Sequence, residues 1–362
     1  WPVITTTERA DNRAAQSIKS SANARPPKRC NTLGRWLFMR VPLPAAITTT
    51  SKALLMSVLC AAATTPPGPE AGGRMRRIMA RPLGRLAVLG VALVLAGCTA
   101  LRVVYHQAPS LTYWWIDGYA DLDNRQTAQV RADLDALFAW HRQEELPRLA
   151  ELLRDWERLA PNDITADQVC QQFDRVRERL ARTATEAVPP LARLALQLSP
   201  AQLDHLARQQ VKNNREFEED FIAASPGRVL DRRTERAQDR LETFYGRLSD
   251  AQRSLLRQQL AASPFDAART RQERLVRQAD LLATIRQAQA EPASAGQRIQ
   301  AHLNRFTDSP TPGYNAYLQS TVQHGCRQLA LIHNSTTAQQ RQRAVATLQQ
   351  YGADLRTLAS PG

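Results

Sequence analysis

Between residues 127 and 160, Val130, Leu134, Leu137, His141, Leu146, Leu149, Leu152, Leu153, Trp156 and Leu159 recur three or four positions apart. That spacing lines one face of an α-helix. Pro147 falls inside the run and should kink or divide it, because it lacks an N–H and its ring meets the preceding turn. Further helices are predicted over about 166–184, 187–197, 200–222, 228–246, 250–261, 265–289, 295–307, 313–333 and 338–358, from the same periodicity. Turn residues separate them: Pro161-Asn162-Asp163, Ser225-Pro226-Gly227, Ser263-Pro264 and Ser309-Pro310-Thr311-Pro312-Gly313. No period-two alternation stands out after Leu111. The expected fold is therefore all-α, an elongated multi-helix bundle of antiparallel helices with no sheet.

Several helix starts share one grammar. "LSPAQL" begins at Leu198, with Ser199 as N-cap, Pro200 as first helical residue and Gln202 as third. The serine hydroxyl can accept from the third-residue amide while the glutamine reaches back to the cap amide, a capping box. Pro200 suits its place because its missing N–H would be unpaired there anyway. Leu198 and Leu203 can close over the cap as a hydrophobic staple. "ITADQV" repeats this with Thr165, Gln168, Ile164 and Val169; "LDNRQ" uses Asp123 and Gln126. "LSDAQ" uses Ser249 and Gln252, with Arg253 in place of the apolar partner, and "TTAQQ" uses Thr337 and Gln340. The spacings are uneven, which excludes a solenoid of fixed period. Each copy has a sufficient local role, and losing a cap costs about 1 kcal/mol.

The N-terminal quarter differs. Residues 1–74 show no sustained apolar period and read as a disordered or non-native upstream extension. From Met75 the order is basic (Arg76, Arg77, Arg81, Arg85), apolar (Leu86 to Leu95), small, then cysteine: a secretory signal over 75–97. Met75 or Met79 is the expected start. Residues 98–110 read as a lipidated tether and 111–360 as the helical domain. Of 48 basic and 34 acidic residues, 14 and 3 precede Cys98, leaving 34 and 31, or net +3 of the whole chain's +14. The basic character thus belongs mostly to the leader, and no nucleic-acid partner is expected. Cys170 and Cys326 remain beyond Cys98. In an oxidising compartment they could be bridged or stand as two separate buried thiols.

Leu95-Ala96-Gly97-Cys98 resembles the lipobox of bacterial lipoproteins. The resemblance implies cleavage before Cys98 and lipid, palmitate included, on its thiol and amino group. Thr99, rather than Asp, after that cysteine implies the outer membrane, facing the periplasm. The Leu-Ser/Thr-x-x-Gln copies resemble the LTxxQ motif of the periplasmic helical proteins of the Spy and CpxP type. Tyr113-Trp114-Trp115, then Asp121-Leu122-Asp123 with Gln126, then Trp140-His141-Arg142-Gln143-Glu144-Glu145-Leu146-Pro147 resemble an uncharacterised family of Gram-negative envelope lipoproteins. That family implies a helical envelope lipoprotein and carries no established activity.

Candidate chemistry is sparse. His141 with Glu144 or Glu145 has helical ligand spacing but no further ligands nearby in sequence, so no metal is expected. No nucleophile elbow, phosphate loop or dinucleotide motif is present, and neither catalytic residues nor a cofactor are assigned. Tyr113, Trp114 and Trp115 could rest at a bilayer interface or plug the end of the bundle. Arg228, Arg232, Arg236 and Arg240 recur every four residues beside Asp231, Glu235 and Asp239. This stripe is either a self-neutralising solvated face or a basic rim. As a rim, Arg232, Arg236, Arg240, Phe244 and Tyr245 would hold an unfolded client or an envelope partner. The leading expectation is chaperone-like client binding by a lipid-anchored envelope protein. The second is a structural or assembly lipoprotein docking on one partner, and an enzyme is the third.

Overall fold

The computed structural model describes residues 82–360, with side chains from residue 101. The upstream extension and the basic part of the signal lie outside the described residues, as do the side chains of Leu95, Ala96, Gly97 and Cys98. Among the described residues the fold is an all-α multi-helix bundle with no strand. The helices are α1 (Pro82–Ala120), α2 (Asn124–Trp140), α3 (Leu146–Leu159), α4 (Ala166–Glu186), α5 (Val188–Gln197) and α6 (Pro200–Phe221). They continue as α7 (Pro226–Tyr245), α8 (Asp250–Ala261), α9 (Ala267–Ala290), α10 (Ala295–Asn304), α11 (Tyr314–Asn334) and α12 (Ala338–Ala359).

Residues 99–110, expected as a tether without pattern, are helical and the side chains from 101 onward pack on the body. Arg102 Nε donates to Asp354 Oδ1 at 2.8 Å, and the Tyr105 hydroxyl lies 2.8 Å from His141 Nδ1. The apolar period was weak there because polar side chains make the contacts.

The expected break at Pro147 takes a specific form. A π-helical turn, His141–Glu145, joins α2 to α3, and the Leu146 N–H donates to the His141 carbonyl five residues back. Proline cannot complete the ordinary ladder to residue 143, and the wider turn absorbs the ring without ending the helix.

Apolar clusters join segments far apart in sequence. The largest gathers Ala120, Val188, Ala192, Ala195, Leu198, Leu203, Leu206, Ile285, Ala288, Ala295 and Ile299 from α1, α5, α6, α9 and α10. A second joins Ile164 and Val169 to Cys326 and Ala330. Here Cys170 and Cys326 form a disulfide, with Cα atoms 5.4 Å apart and a separation of 156 positions in sequence, so α4 is tied covalently to α11. A third collects Leu248, Leu256, Leu260 and Ile332, with Leu241 and Tyr245 against it. The C-terminal helix α12 lies along α3, where Gln349 Nε2 donates to Glu157 Oε1 at 2.6 Å.

Candidate functional site

All five expected capping boxes are formed. Asp123, Thr165, Ser199, Ser249 and Thr337 each accept from the third helical amide, and Gln126, Gln168, Gln202, Gln252 and Gln340 each bond back to the cap amide. The staple residues Leu198 and Leu203 are buried, as are Ile164 and Val169.

Four of these glutamines also pair with one another. Gln126 Nε2 donates to Gln202 Oε1 at 3.1 Å and to the Gln197 carbonyl at 2.9 Å. Gln202 Nε2 returns the exchange, to Gln126 Oε1 at 2.7 Å and the Asp121 carbonyl at 2.8 Å. Each glutamine thus caps its own helix with its oxygen and binds, with its amide, the chain two residues before the other's cap. Asp121 adopts φ 49° at this junction, a left-handed conformation that aspartate tolerates better than most residues.

The second pair has the same pattern. Gln252 Nε2 donates to Gln340 Oε1 at 2.9 Å and the Ser335 carbonyl at 2.9 Å, and Gln340 Nε2 to Gln252 Oε1 at 3.1 Å and the Arg247 carbonyl at 3.1 Å. Gly246, with φ 73°, makes the sharp turn that brings the start of α8 here, and a Cβ at that position would meet the Arg343 guanidinium. The Thr165 copy makes no such pair. It docks beside the second node through Asn334, which accepts from the Ile164 amide at 2.9 Å and donates to the Ile164 carbonyl at 3.0 Å.

The arginine stripe of α7 does not behave as one surface. Arg232 pairs with Asp220 at 2.8 Å, while Arg240 is exposed. Leu241, Tyr245 and Leu248 face the third apolar cluster, and Phe244 meets Tyr351 edge-on at 6.0 Å. The Tyr245 hydroxyl lies 2.8 Å from buried His333 Nδ1, and burial pushes its pKa up to about 12. Phe244 and Tyr245 therefore supply packing against neighbouring helices.

A different arrangement forms where α7 meets the end of α6 and the start of α9. Phe217 and Phe221 stack at 4.9 Å, and Phe221 meets Phe265 edge-on at 5.8 Å. Arg233 lies over Phe265 at 4.7 Å, Arg236 over Phe221 at 5.7 Å and Arg274 over Phe217 at 5.1 Å. All three arginines are half-buried. Burial pushes each guanidinium below its ordinary pKa, and Arg240 adds to the effect at Arg236. Among the described residues none of the three forms an ion pair; Arg274 Nε reaches Asn214 Oδ1 at 3.4 Å. Of the carboxylates at the end of α6, Asp220 pairs with Arg232 and Glu218 with Arg271. The sequence pattern does not mark the cluster, because the aromatic partner of Arg233 comes from the turn before α9 and that of Arg274 from α6.

The weighed metal candidates point apart. His141 bonds Tyr105, and burial lowers its pKa. Glu144 is exposed beside Arg148, and Glu145 is buried with Arg179 at 3.8 Å. Among the described residues no group of three or more His, Cys, Asp or Glu is placed to hold a metal ion. Of the aromatic run, Tyr113 is buried under Arg131, whereas Trp114 and Trp115 are 56% and 45% exposed.

No curated protein and no solved structure matches the chain. A family model does match, over residues 118–314, which holds the first glutamine node and the whole arginine–aromatic cluster. That match spans more than half of the sequence, and the chain belongs to the family of unknown function DUF6279.

Proposed function

We propose that the protein is a lipid-anchored helical protein of the bacterial envelope that docks on one acidic protein partner through the cluster at Arg233, Arg236 and Arg274. The observation that carries this is three half-buried guanidinium groups that have lost water and that, among the described residues, form no ion pair. Cation–π contacts offset part of that loss, roughly 0.5–2 kcal/mol each. An incoming carboxylate would supply charge-assisted hydrogen bonds in the same low-dielectric setting. The aromatic rings around it favour the Arg-and-aromatic composition of interface centres. The lipobox at Leu95 to Cys98 supports the anchor, and Thr99 supports outer-membrane residence facing the periplasm.

Docking suits the geometry better than client holding. The rings are stacked on one another and the arginines are fixed over them, so the surface is preorganised for one shape. The Spy-like and CpxP-like motifs support a periplasmic helical protein, yet four of their glutamines are engaged inside the fold.

Photo-crosslinking in cells tests the proposal. A benzophenone side chain at Ile222, 44% exposed beside Phe221, should give one dominant adduct that disappears with Arg233→Ala and Arg236→Ala. A smear of many adducts would favour client holding instead. No adduct from folded protein would sink both. Intact mass of wild type beside Cys98→Ala reads the anchor separately.

A further inference from the structure

The outer face of α1 carries a second surface that the docking cluster does not use. Val103, Gln107, Trp114 and Gly118 are exposed and fall on one side of the helix at spacings of four, seven and four, with exposed Trp115 next to them. Two adjacent tryptophans with about half their surface in water are costly, because each indole can bury a large apolar area and still needs a partner for its N–H. Neither indole N–H has a hydrogen bond to another described residue; Trp115 touches Tyr119 at 5.1 Å between centroids. Tyr119 in turn receives Asn213 of α6, fixing this stretch of α1 against α6. On α6, His205 and Asn213 mark the side toward α1, and the exposed part of that helix carries Arg208, Lys212 and Arg215 together with Asp204 and Glu219.

This is the chemistry of a membrane–water interface: indoles that sit at headgroup level, with long cationic side chains beside them to reach phosphates. The same helix leads back to Cys98, with Pro109 inside it as the one place a kink is expected, and Trp114 lies sixteen residues along it, at most about 24 Å at 1.5 Å per residue. A chain anchored at Cys98 would hold this face within reach of the bilayer at all times. We infer that Trp114 and Trp115, flanked by Arg208, Lys212 and Arg215, form a surface that lies in the headgroup region of the anchoring phospholipid membrane. The inference rests on the lipid-anchor reading, not on the acidic partner. Its consequence is orientation: the protein would lie against the membrane by α1 and α6 rather than swing on a free tether.

Full-length protein in vesicles of phosphatidylethanolamine and phosphatidylglycerol, with brominated acyl chains, tests it by fluorescence quenching. Loss of most Trp114 and Trp115 emission is expected, seen as a quenched fraction that falls sharply in Trp114→Phe with Trp115→Phe. The conservative change Trp140→Phe, at a half-buried site under Arg182, should leave that fraction in place. An equal quenched fraction in wild type and in the double variant would overturn the inference. Intact mass of the same sample reports the lipid on Cys98, so a missing anchor is told apart from a missing contact. Quenching without lipid would still support the surface, and a lipidated chain without it would refute the surface alone.

Discussion

The two ends of α6 handle polarity in opposite ways. At its start, Gln202 and Gln126 exchange amides, and every donor they present meets a carbonyl of the neighbouring chain. At its finish, Phe217 and Phe221 lie under Arg274 and Arg236, whose charges meet no carboxylate among the described residues. A closed polar network specifies a fold and leaves nothing to recruit. An open one costs stability and keeps its charge for something else. The difference separates what the repeated motif does from where binding is to be sought.

The largest effect should come from breaking a closed end. Gln126→Ala removes the bond to the Asp123 amide, orphans the Gln197 carbonyl and leaves Gln202 half-partnered. Losing the cap bond and leaving part-buried groups unpaired is expected to destabilise by roughly 1–3 kcal/mol, read as a lower urea midpoint. Gln252→Ala should do the same at the second node. Glutamate sharpens the test, since it can cap a helix but has no amide to donate. Gln202→Glu should cost nearly as much as alanine. Gln168→Glu, in the copy that pairs with no other glutamine, should be neutral or slightly stabilising near the helix N-terminus. Equal losses at 168 and 202 would reduce the nodes to ordinary caps.

Acid should distinguish the two nodes from each other. Buried His333 sits beside the second node, its Nε2 2.8 Å from the Asn162 carbonyl and its Nδ1 on the Tyr245 hydroxyl, with Arg341 and Asp163 nearby. Burial lowers its pKa from 6.5, partly offset by the Asn162 bond. The unfolded chain then binds more protons than the folded one below that value, so stability present at neutral pH is lost as pH falls through about 6.5. Among the described residues no buried histidine bonds to the first node; His141, also lowered by burial, stands at the far end of α2, away from Gln126. Hydrogen exchange at pH 5.5 against 7.5 should show α8 and α12 losing protection before α2 and α6. The reverse order, or no change, would remove His333 from the account; His333→Gln should flatten the response.

How much of this could be read in advance divides along the same line. Helix positions and all five boxes follow from local rules, because a cap acts on residues three apart. The pairing of Gln126 with Gln202 does not, since nothing local joins positions 76 apart. One signal was available: every copy carries glutamine where glutamate would cap as well and suit the helix dipole better. That choice points to a use for the amide, although Gln168 shows it is not infallible. The four-residue period of Arg232, Arg236 and Arg240 suggested one rim, but Asp220, Phe221 and the tight packing of Tyr245 divide it. Arg233, off that period, proved part of the cluster because Phe265 arrives from the turn before α9. The π-turn at 141–145 had its sign in Pro147, which fixes that the ladder must fail but not how.

The smallest effect on stability should come from the open end, and its sign carries the argument. Arg236→Met keeps length and apolar contact with Phe221 while removing a half-buried charge that has no counter-ion. If the guanidinium is held there for the fold, its loss should destabilise as a broken contact does. If it is held for a partner, the free protein gains by losing an uncompensated charge, by up to about 1 kcal/mol, because replacing buried ionic groups with well-packed apolar ones is commonly neutral or stabilising. The cation–π contact given up works against that gain, so a change near zero is also consistent with the second case. The expected outcome is an unchanged or slightly raised urea midpoint together with loss of the Ile222 crosslink. A clear fall in the midpoint would place Arg236 with Gln202, as part of what holds α6 together rather than what it offers.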